Sequence, residues 1–439
     1  MTAVKTLSAR SLDYIAQIES QLSGCAARDI AKRVQDLVLA HDEWRERRCL
    51  NMNPAESLLS RRCRQLLASD MATRLTEGVP GAKLYPHGRQ NEFIDEIEAI
   101  IIALARRQFG ARFVEWRPVS TTMANAAVFC ALLRPGDVVL SQDEDGGGNY
   151  VYNSNGPLGL SNARIARIPV HGTAFELDLE RLAVEAERLK PRMIAIGGSN
   201  VLFPYAVRQL REIADRSSAI LLYDAAHLGL LISSGNFQKP LDDGAHVVTL
   251  STHKVMGGPV GGLALTNDAD IAERISRVMF PGFMQTRDQN KYAALALALA
   301  ETQEYGPALA QQMVANARAL AHGLQQKGFS LLAADRGYTH THQIFLQLGS
   351  SAQAFETACH AANILISDCA LTGDTARSQR SGARLAVHEL TRLGMQEAQM
   401  HSIADFIARA ALSKENPAVI AADVADLLSR HRRVEYSFD

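Results

Sequence analysis

The sequence predicts an α/β fold, with a mostly parallel sheet in a large domain and a smaller C-terminal α+β domain. Between about residues 114 and 280, short apolar strands alternate with helices, which is typical of a parallel sheet covered by helices. An alanine-rich helical stretch begins near Lys291, and strands and helices mix after it. We therefore expect a helical arm at 1–50, a large domain at 51–305 and a small domain at 306–439.

Composition narrows the class of protein. The 439 residues carry a formal net charge of −1, which argues against nucleic acid or an anionic membrane as a partner. No apolar run reaches membrane-spanning length, and the first ten residues lack a signal-peptide core. The six cysteines are scattered without a Cys-x-x-Cys pair, so we expect buried, reduced thiols rather than disulfides or metal ligands. We expect a cytoplasmic protein without a metal site.

Two N-terminal segments precede the alternating region. Apolar residues recur at helical spacing up to about residue 48, with charges on the other face, which indicates an arm or docking element. The loop at 75–88 is rich in glycine and proline, and such loops are often functional. Glu77 and Tyr85 are its chemically useful residues, whereas Lys83 and His87 could equally be solvated.

The alternating region supplies the expected sheet and its ligand edge. Strands are predicted at 138–141, 165–170, 193–196, 219–223 and 246–250, with helices at 179–189 and 207–215 among them. Ligands of such sheets bind beyond the carboxyl ends of the strands. Four polar residues fall at such ends: Ser120, Ser199, Asp224 and Lys254.

A hydroxyl-rich segment, Ser120-Thr121-Thr122, opens a helix that is predicted to run to about Leu133. Hydroxyls and free N–H groups at a helix N-terminus form a phosphate site. Simple N-capping by serine or threonine explains the same residues equally well.

Lys254 follows a buried strand and precedes a loop that contains four glycines. Burial lowers the pKa of a lysine and makes its amine a nucleophile towards a carbonyl group. The alternative is a strand end whose lysine extends to solvent. Asp224 ends the preceding strand of the pattern, and a carboxylate there could keep a pyridine nitrogen protonated. The ordered pair predicts pyridoxal 5′-phosphate, bound to Lys254 as a Schiff base.

The C-terminal region contributes one more candidate. Helices are predicted at 291–304 and 309–327, followed by strands at 339–346 and 381–387. Arg384 lies among apolar neighbours in the last of these strands and must be paired. A substrate carboxylate suits its bidentate geometry, and an internal salt bridge is the alternative.

From about Leu50 to Arg409 the sequence resembles serine hydroxymethyltransferase and its relatives, of fold type I (the aspartate aminotransferase-like fold). The matching stretches include Thr76-Glu77-Gly78 with Tyr85, Asp224-Ala225-Ala226-His227, Thr252-His253-Lys254 with Gly261-Gly262, Phe280-Pro281-Gly282, and Ser381-Gly382-Ala383-Arg384.

This resemblance implies a role for each matching residue. Lys254 would bind the cofactor aldehyde, and Asp224 the pyridine nitrogen. Arg384 would bind the amino acid carboxylate, with His342 beside the substrate. Glu77 and Tyr85 would act at the substrate hydroxyl from the neighbouring subunit of a dimer. The remaining implied residues are catalytic (Thr252) or contact the cofactor: Ser120, Thr121, Thr122, Ser199, His227, Ser251, His253 and Gly262.

Several departures from the family pattern bear on folate. The usual Ala-His-Gly-Gly-His loop, which stacks a histidine on the cofactor ring, is replaced by residues 143–149, so the stacking residue is unidentified. The Gln-Gly-Gly-Pro phosphate loop is replaced by Gln285-Thr286-Arg287-Asp288, and Asp-Asn-His, whose asparagine helps to hold folate, by Thr341-His342-Gln343. The last form, together with the segment 436–439, is similar to the threonine transaldolases of natural-product pathways.

The resemblance therefore implies an aldolase or transaldolase that acts on β-hydroxy-α-amino acids through a glycine quinonoid, without tetrahydrofolate. Its small-molecule substrates would be an amino acid and an aldehyde, and it would be a homodimer or a dimer of dimers. A folate-dependent hydroxymethyltransferase is the first alternative. An aminotransferase or decarboxylase, or a catalytically silent relative that serves as a scaffold, are the others.

Overall fold

The computed structural model describes residues 8–374, 380–413 and 415–439. Its helices are α1 (Ala9–Leu22), α2 (Ala27–Arg47), α3 (Arg61–Leu67), α4 (Arg89–Phe109), α5 (Thr121–Leu132), α6 (Pro157–Leu160), α7 (Leu179–Leu189), α8 (Val207–Ser217), α9 (Gly229–Ser233), α10 (Ala269–Arg277), α11 (Gln289–Gln326), α12 (Ala352–Ala361), α13 (His388–Arg392), α14 (Glu397–Leu412) and α15 (Pro417–Ser429). Its strands are β1 (Leu50–Asn51), β2 (Gly78–Val79), β3 (Ala82–Lys83), β4 (Phe113–Glu115), β5 (Val138–Ser141), β6 (Arg164–Arg167), β7 (Val170–His171), β8 (Glu176–Leu177), β9 (Met193–Gly197), β10 (Ile220–Asp224), β11 (Val247–Ser251), β12 (Gly262–Thr266), β13 (Gln343–Gln347), β14 (Ile364–Leu365), β15 (Ser367–Cys369) and β16 (Gly382–Ala386).

A mostly parallel sheet forms the centre of the large domain, as predicted. Within the described residues its strand order is β4-β12-β11-β10-β9-β5-β6, and β12 runs antiparallel to both of its neighbours. Strands β9, β10, β11 and β12 are buried along their whole length, which explains their nearly continuous apolar sequences. Asp224 pairs with Thr249 in the parallel register of β10 and β11, so both strands end at the same edge of the sheet.

A smaller antiparallel sheet, β13-β16-β15, carries Arg384 opposite Phe345. Its hydrophobic core includes Leu320 of α11 and Ile403 of α14, but also Leu50 and Met52. The reason is that β1 pairs in parallel with β14. The division at residues 50 and 305 remains a proposal.

The long helix α11 differs from the two helices predicted at 291–304 and 309–327. It is continuous over 38 residues and contains Pro307, although proline removes a backbone hydrogen bond from a helix interior. Asn236 donates a hydrogen bond to the carbonyl of Pro307 at 2.7 Å, and the helix packs against α3, α4 and α14. Tertiary packing therefore overrides the local preference to break.

The cysteines are only partly as expected. All six are free thiols, but Cys25 and Cys130 are exposed, so the expectation of burial is wrong for these two. Cys25 lies in the short connection between α1 and α2, and Cys130 lies on the outer side of α5. Among the described residues, no helix has both the length and the apolar content needed to cross a lipid bilayer.

The buried position of Leu50 yields a test of the small core. Replacing this fully buried residue with alanine removes methyl groups and leaves a cavity, so we expect Leu50→Ala to lower the free energy of unfolding by about 2–5 kcal/mol. Denaturant titration followed by circular dichroism measures the change. The control is Leu160→Ala, whose side chain is 77% exposed and should change stability by less than about 0.5 kcal/mol. Equal effects of the two variants would contradict the packing.

Candidate active site

Lys254 lies three residues beyond the end of β11, and its Nζ is 3.0 Å from Nε2 of His227. Burial lowers the pKa of Lys254 to about 8, and the positive charge of Arg384 acts in the same direction. The carboxylate of Asp224 opposes this shift. The amine is therefore neutral in a far larger fraction of molecules near pH 8 than an exposed lysine would be.

Asp224 is the buried acid of the site, at the carboxyl end of β10. Its Oδ2 accepts a hydrogen bond from Nδ2 of Asn125 at 2.8 Å and lies 3.5 Å from the hydroxyl of Tyr152. Its Oδ1 accepts one from the backbone N–H of Ala226 at 2.9 Å. Burial raises the pKa of Asp224, and these hydrogen bonds act against the rise.

Asn125 and Tyr152 were not among the predicted site residues. Asn125 also accepts a hydrogen bond from the hydroxyl of Thr249 at 2.8 Å, so its amide orientation is fixed from both sides. An asparagine in the second turn of a buried helix was the available signal for it. Tyr152 lies 72 residues before Asp224 in a loop, and no local pattern indicates that contact.

The N-terminus of α5 meets the start of β12 closely enough to require glycine. A Cβ on Gly262 would lie 2.6 Å from the carbonyl oxygen of Ser120 and 2.8 Å from the nitrogen of Thr121. Ser120 is the N-cap and accepts a hydrogen bond from the N–H of Met123 at 3.1 Å, so the capping alternative is realised. Thr121 is bonded through its hydroxyl to Ser251, and Thr122 is exposed. Phosphate binding at this helix N-terminus remains a prediction.

Arg384 is held by uncharged groups within the part of the chain that the structure describes. Its Nη1 donates to the carbonyl of Ser199 at 3.1 Å and to Oδ1 of Asn200 at 3.0 Å. No carboxylate of the described residues forms an ion pair with it, and its buried Nε has no hydrogen-bond partner among them. The internal salt bridge considered as the alternative is thus not formed within that part of the chain. Ser199 is itself fixed by Asn149, whose Nδ2 is 2.8 Å from its hydroxyl.

Three buried histidines pack in a row, and the first of them, His227, lies beside the lysine. The ring of His342 is nearly parallel to that of His227, with centroids 6.3 Å apart, and meets His388 edge-on at 5.2 Å. Burial lowers the pKa of His227 and of His342 well below the usual value, so both are neutral at physiological pH. Within the described residues, both ring nitrogens of His342 lack hydrogen-bond partners.

The residues before Lys254 shape its loop. The hydroxyl of Thr252 donates to the carbonyl of Pro259 at 2.6 Å, and its N–H donates to Gly261 at 3.2 Å. Burial lowers the pKa of His253 to about 4. These contacts give Thr252 a clear part in holding the loop, and its catalytic role remains a prediction.

The structure does not bring Glu77 and Tyr85 to the lysine of the same chain. Tyr85 is 53% exposed and lies two residues after β3, and no contact among the described residues joins either side chain to Lys254, Asp224 or Arg384. Their action on a neighbouring subunit remains a proposal. The side chain of Lys83 is buried and paired with Glu98 and Asp95. The expectation that Lys83 could be solvated is therefore wrong.

These features fit pyridoxal 5′-phosphate. A lysine with a lowered pKa, a buried carboxylate, a glycine-lined helix N-terminus and an arginine without an acidic partner within the described residues meet at one sheet edge. Together with the fold they define a pyridoxal-phosphate-dependent enzyme.

Comparison with known proteins identifies the family. The family profile for serine hydroxymethyltransferase matches residues 28–407, and the chain belongs to that family. It is 36% identical over 409 residues to the serine hydroxymethyltransferase of Pyrobaculum arsenaticum, covering 93% of this chain and 94% of that one. It is 34% identical over 411 residues to an α-methylserine aldolase of Ralstonia sp, covering 93% and 92%. The solved L-threonine transaldolase of Pseudomonas fluorescens, in its internal aldimine state, shares the fold with a TM-score of 0.85 at 24% identity, over 97% of this chain and 96% of that one.

The pKa of Lys254 gives a testable pH dependence. Only the neutral amine attacks an aldehyde, so the rate of pyridoxal phosphate binding to apoprotein should rise with pH and level off above about 8. Stopped-flow absorbance measures this rate, and a free alkylamine corrects for ionisation of the cofactor. Asp224→Asn removes the charge that raises the pKa of Lys254, so the inflection should move to lower pH. An inflection near 10.5 in the native chain would contradict the burial argument.

Proposed function

We propose that this enzyme makes and breaks the Cα–Cβ bond of β-hydroxy-α-amino acids without a folate carrier, as an aldolase or transaldolase. Arg384 carries the proposal, because a guanidinium without an acidic partner among the described residues suits a substrate carboxylate beside Lys254 and Asp224. The similarity to α-methylserine aldolases over more than nine-tenths of the chain supports the same reading.

The position of His342 supports folate independence. The side chain is fully buried, enclosed between His227 and His388. An imidazole in that place does not present an amide to a large ligand arriving from solvent. The second candidate, folate-dependent hydroxymethyl transfer, is favoured by the 36% identity to a serine hydroxymethyltransferase.

The residues of the chain have distinct tasks in this proposal. Bound pyridoxal phosphate would supply an electron-withdrawing ring that accepts the electron pair of the broken bond. Asp224 holds a proton at the pyridine nitrogen, and Asn125 and Ala226 keep its carboxylate in position. Arg384 would bind the substrate carboxylate and thereby orient the bonds at Cα. The carboxylate of Glu77 accepts the proton of the β-hydroxyl group.

We also propose that the working unit contains at least two copies of the chain. Glu77 and Tyr85 flank the β2–β3 hairpin, and Tyr85 is exposed, while α1 and α2 contain no buried residue in the isolated chain. Large apolar side chains are exposed on these elements, including Leu37 at 61% and Phe93, on the neighbouring α4, at 52%. A second copy would cover this surface and receive Glu77 at its own lysine.

Cleavage without folate is the first test. Purified holoenzyme should release aldehyde from L-threonine, L-serine or α-methylserine at a rate that added tetrahydrofolate does not change. An enzyme-coupled aldehyde assay measures the release, and Lys254→Ala should abolish it. Cleavage only in the presence of tetrahydrofolate would favour the second candidate, and a keto acid product would favour transamination.

Removing the guanidinium of Arg384 should mainly weaken amino acid binding. A hydrogen bond to a charged group contributes about 1.5–3 kcal/mol, so Arg384→Gln should raise KM by about 10- to 100-fold. Steady-state kinetics measure this ratio. Arg409→Gln is the matched control, because Arg409 pairs with Glu415 and Asp423 away from the site. An unchanged KM in Arg384→Gln would refute carboxylate binding there.

A further inference from the structure

We propose that Arg287 is a positioning residue that fixes the backbone on both sides of Glu77 and so aims the carboxylate of that residue. The inference rests on the proposed function, which gives Glu77 the hydroxyl proton. Arg287 lies in the segment just before α11, outside the set of residues that sequence analysis selected for the site.

The central observation is a clamp made by one nitrogen atom. Nη2 of Arg287 donates to the carbonyl of Thr76 at 3.0 Å and to the carbonyl of Gly78 at 3.1 Å. These two residues flank Glu77 in the chain. The guanidinium is buried, with the residue 4% exposed, whereas the carboxylate of Glu77 has no hydrogen bond or ion pair within the described residues. The direction of Glu77 therefore depends on its backbone.

A buried ion-pair network holds the clamp itself. Nη1 of Arg287 is 3.4 Å from Oε1 of Glu98, and Nζ of Lys83 is 2.5 Å from Oε2 of the same carboxylate. Lys83 also lies 3.1 Å from Asp95, which accepts a hydrogen bond from the N–H of Gly81. Removing one member of a buried pair is strongly unfavourable, so the network resists displacement.

The network joins three separate elements. Lys83 belongs to β3, whereas Asp95 and Glu98 lie on α4 and Arg287 precedes α11. Beside the clamp, Nε2 of Gln289 is 3.0 Å from the hydroxyl of Thr76. The hairpin that carries Glu77 is thus tied to the two helices rather than left as a free loop. Arg287 acts through Glu77 and need not touch the substrate.

The test compares Arg287→Lys and Arg287→Gln with the native holoenzyme. Lysine keeps the charge beside Glu98 but cannot reproduce the planar guanidinium, so it separates positioning from folding. A misplacement of about 1 Å can cost about 100-fold in rate. We expect kcat for cleavage of β-hydroxy amino acids to fall about 10- to 100-fold in both variants, with KM changed less than about twofold because Arg384 is intact.

Hydrogen–deuterium exchange gives a readout that is independent of activity. The N–H of Leu84 is bonded to the carbonyl of Glu77 at 3.0 Å, and its protection should fall in Arg287→Lys. Arg409→Gln breaks the ion pairs of Arg409 with Glu415 and Asp423 in another part of the chain, and it should leave that protection unchanged. Unchanged protection in Arg287→Lys would overturn the inference, whatever the activity.

Double variants separate this inference from the proposed function. If Arg287 acts through Glu77, Arg287→Lys should add no further loss of kcat in a Glu77→Gln background. Losses that multiply would show a general structural role and overturn the inference. Full activity of Glu77→Gln alone would instead refute the assigned role of Glu77 and leave the exchange result to decide the anchoring.

Discussion

The parallel pairing of β10 with β11 is the constraint on which the site depends. It makes both strands end at the same edge of the sheet, so the buried apolar strands place Asp224 and Lys254 at that one edge. Burial disfavours the charged form of each group. The amide of Asn125, the N–H of Ala226 and the opposite charges of the two residues offset that cost. Burial of this pair is unfavourable for folding, but it also makes the amine of Lys254 more reactive, because it lowers the pKa of that amine.

Much of the large domain follows from local patterns. The predicted strand at 138–141 and helix at 179–189 agree with the structure, and the strands predicted at 193–196, 219–223 and 246–250 differ from it by one residue, because buried apolar runs and amphipathic periods are local signals. The strand predicted at 165–170 is divided into β6 and β7, which belong to different sheets, and β12 was not predicted. The antiparallel direction of β12 is not local, since it depends on how the glycine loop after Lys254 reverses the chain. The contact of Tyr152 with Asp224 and the clamp on Glu77 depend on residues far apart in sequence.

In the candidate site, too, local patterns predict some of the residues and miss others. Lys254, Asp224 and Arg384 could be predicted from the sequence. Each is a charged residue in or next to an apolar strand, and a charge in such a place indicates a functional site. Asn125 could not be given a role in this way, since uncharged amides are common in helices. The expectation that Lys83 could be solvated failed in a related way, because its counter-ions Glu98 and Asp95 lie on a helix that follows it.

The helix α11 has a consequence for motion. Its Leu309 and Met313 belong to the core of the large domain, whereas Leu320 and Leu324 belong to the core of the small one. Its 38 residues span about 57 Å at 1.5 Å per residue. Arg384 therefore cannot rotate towards Lys254 as part of a freely hinged lid, because a stiff rod passes through both bodies. A movement of the small domain over a substrate would have to bend this helix between Met313 and Leu320, where it passes from one core to the other.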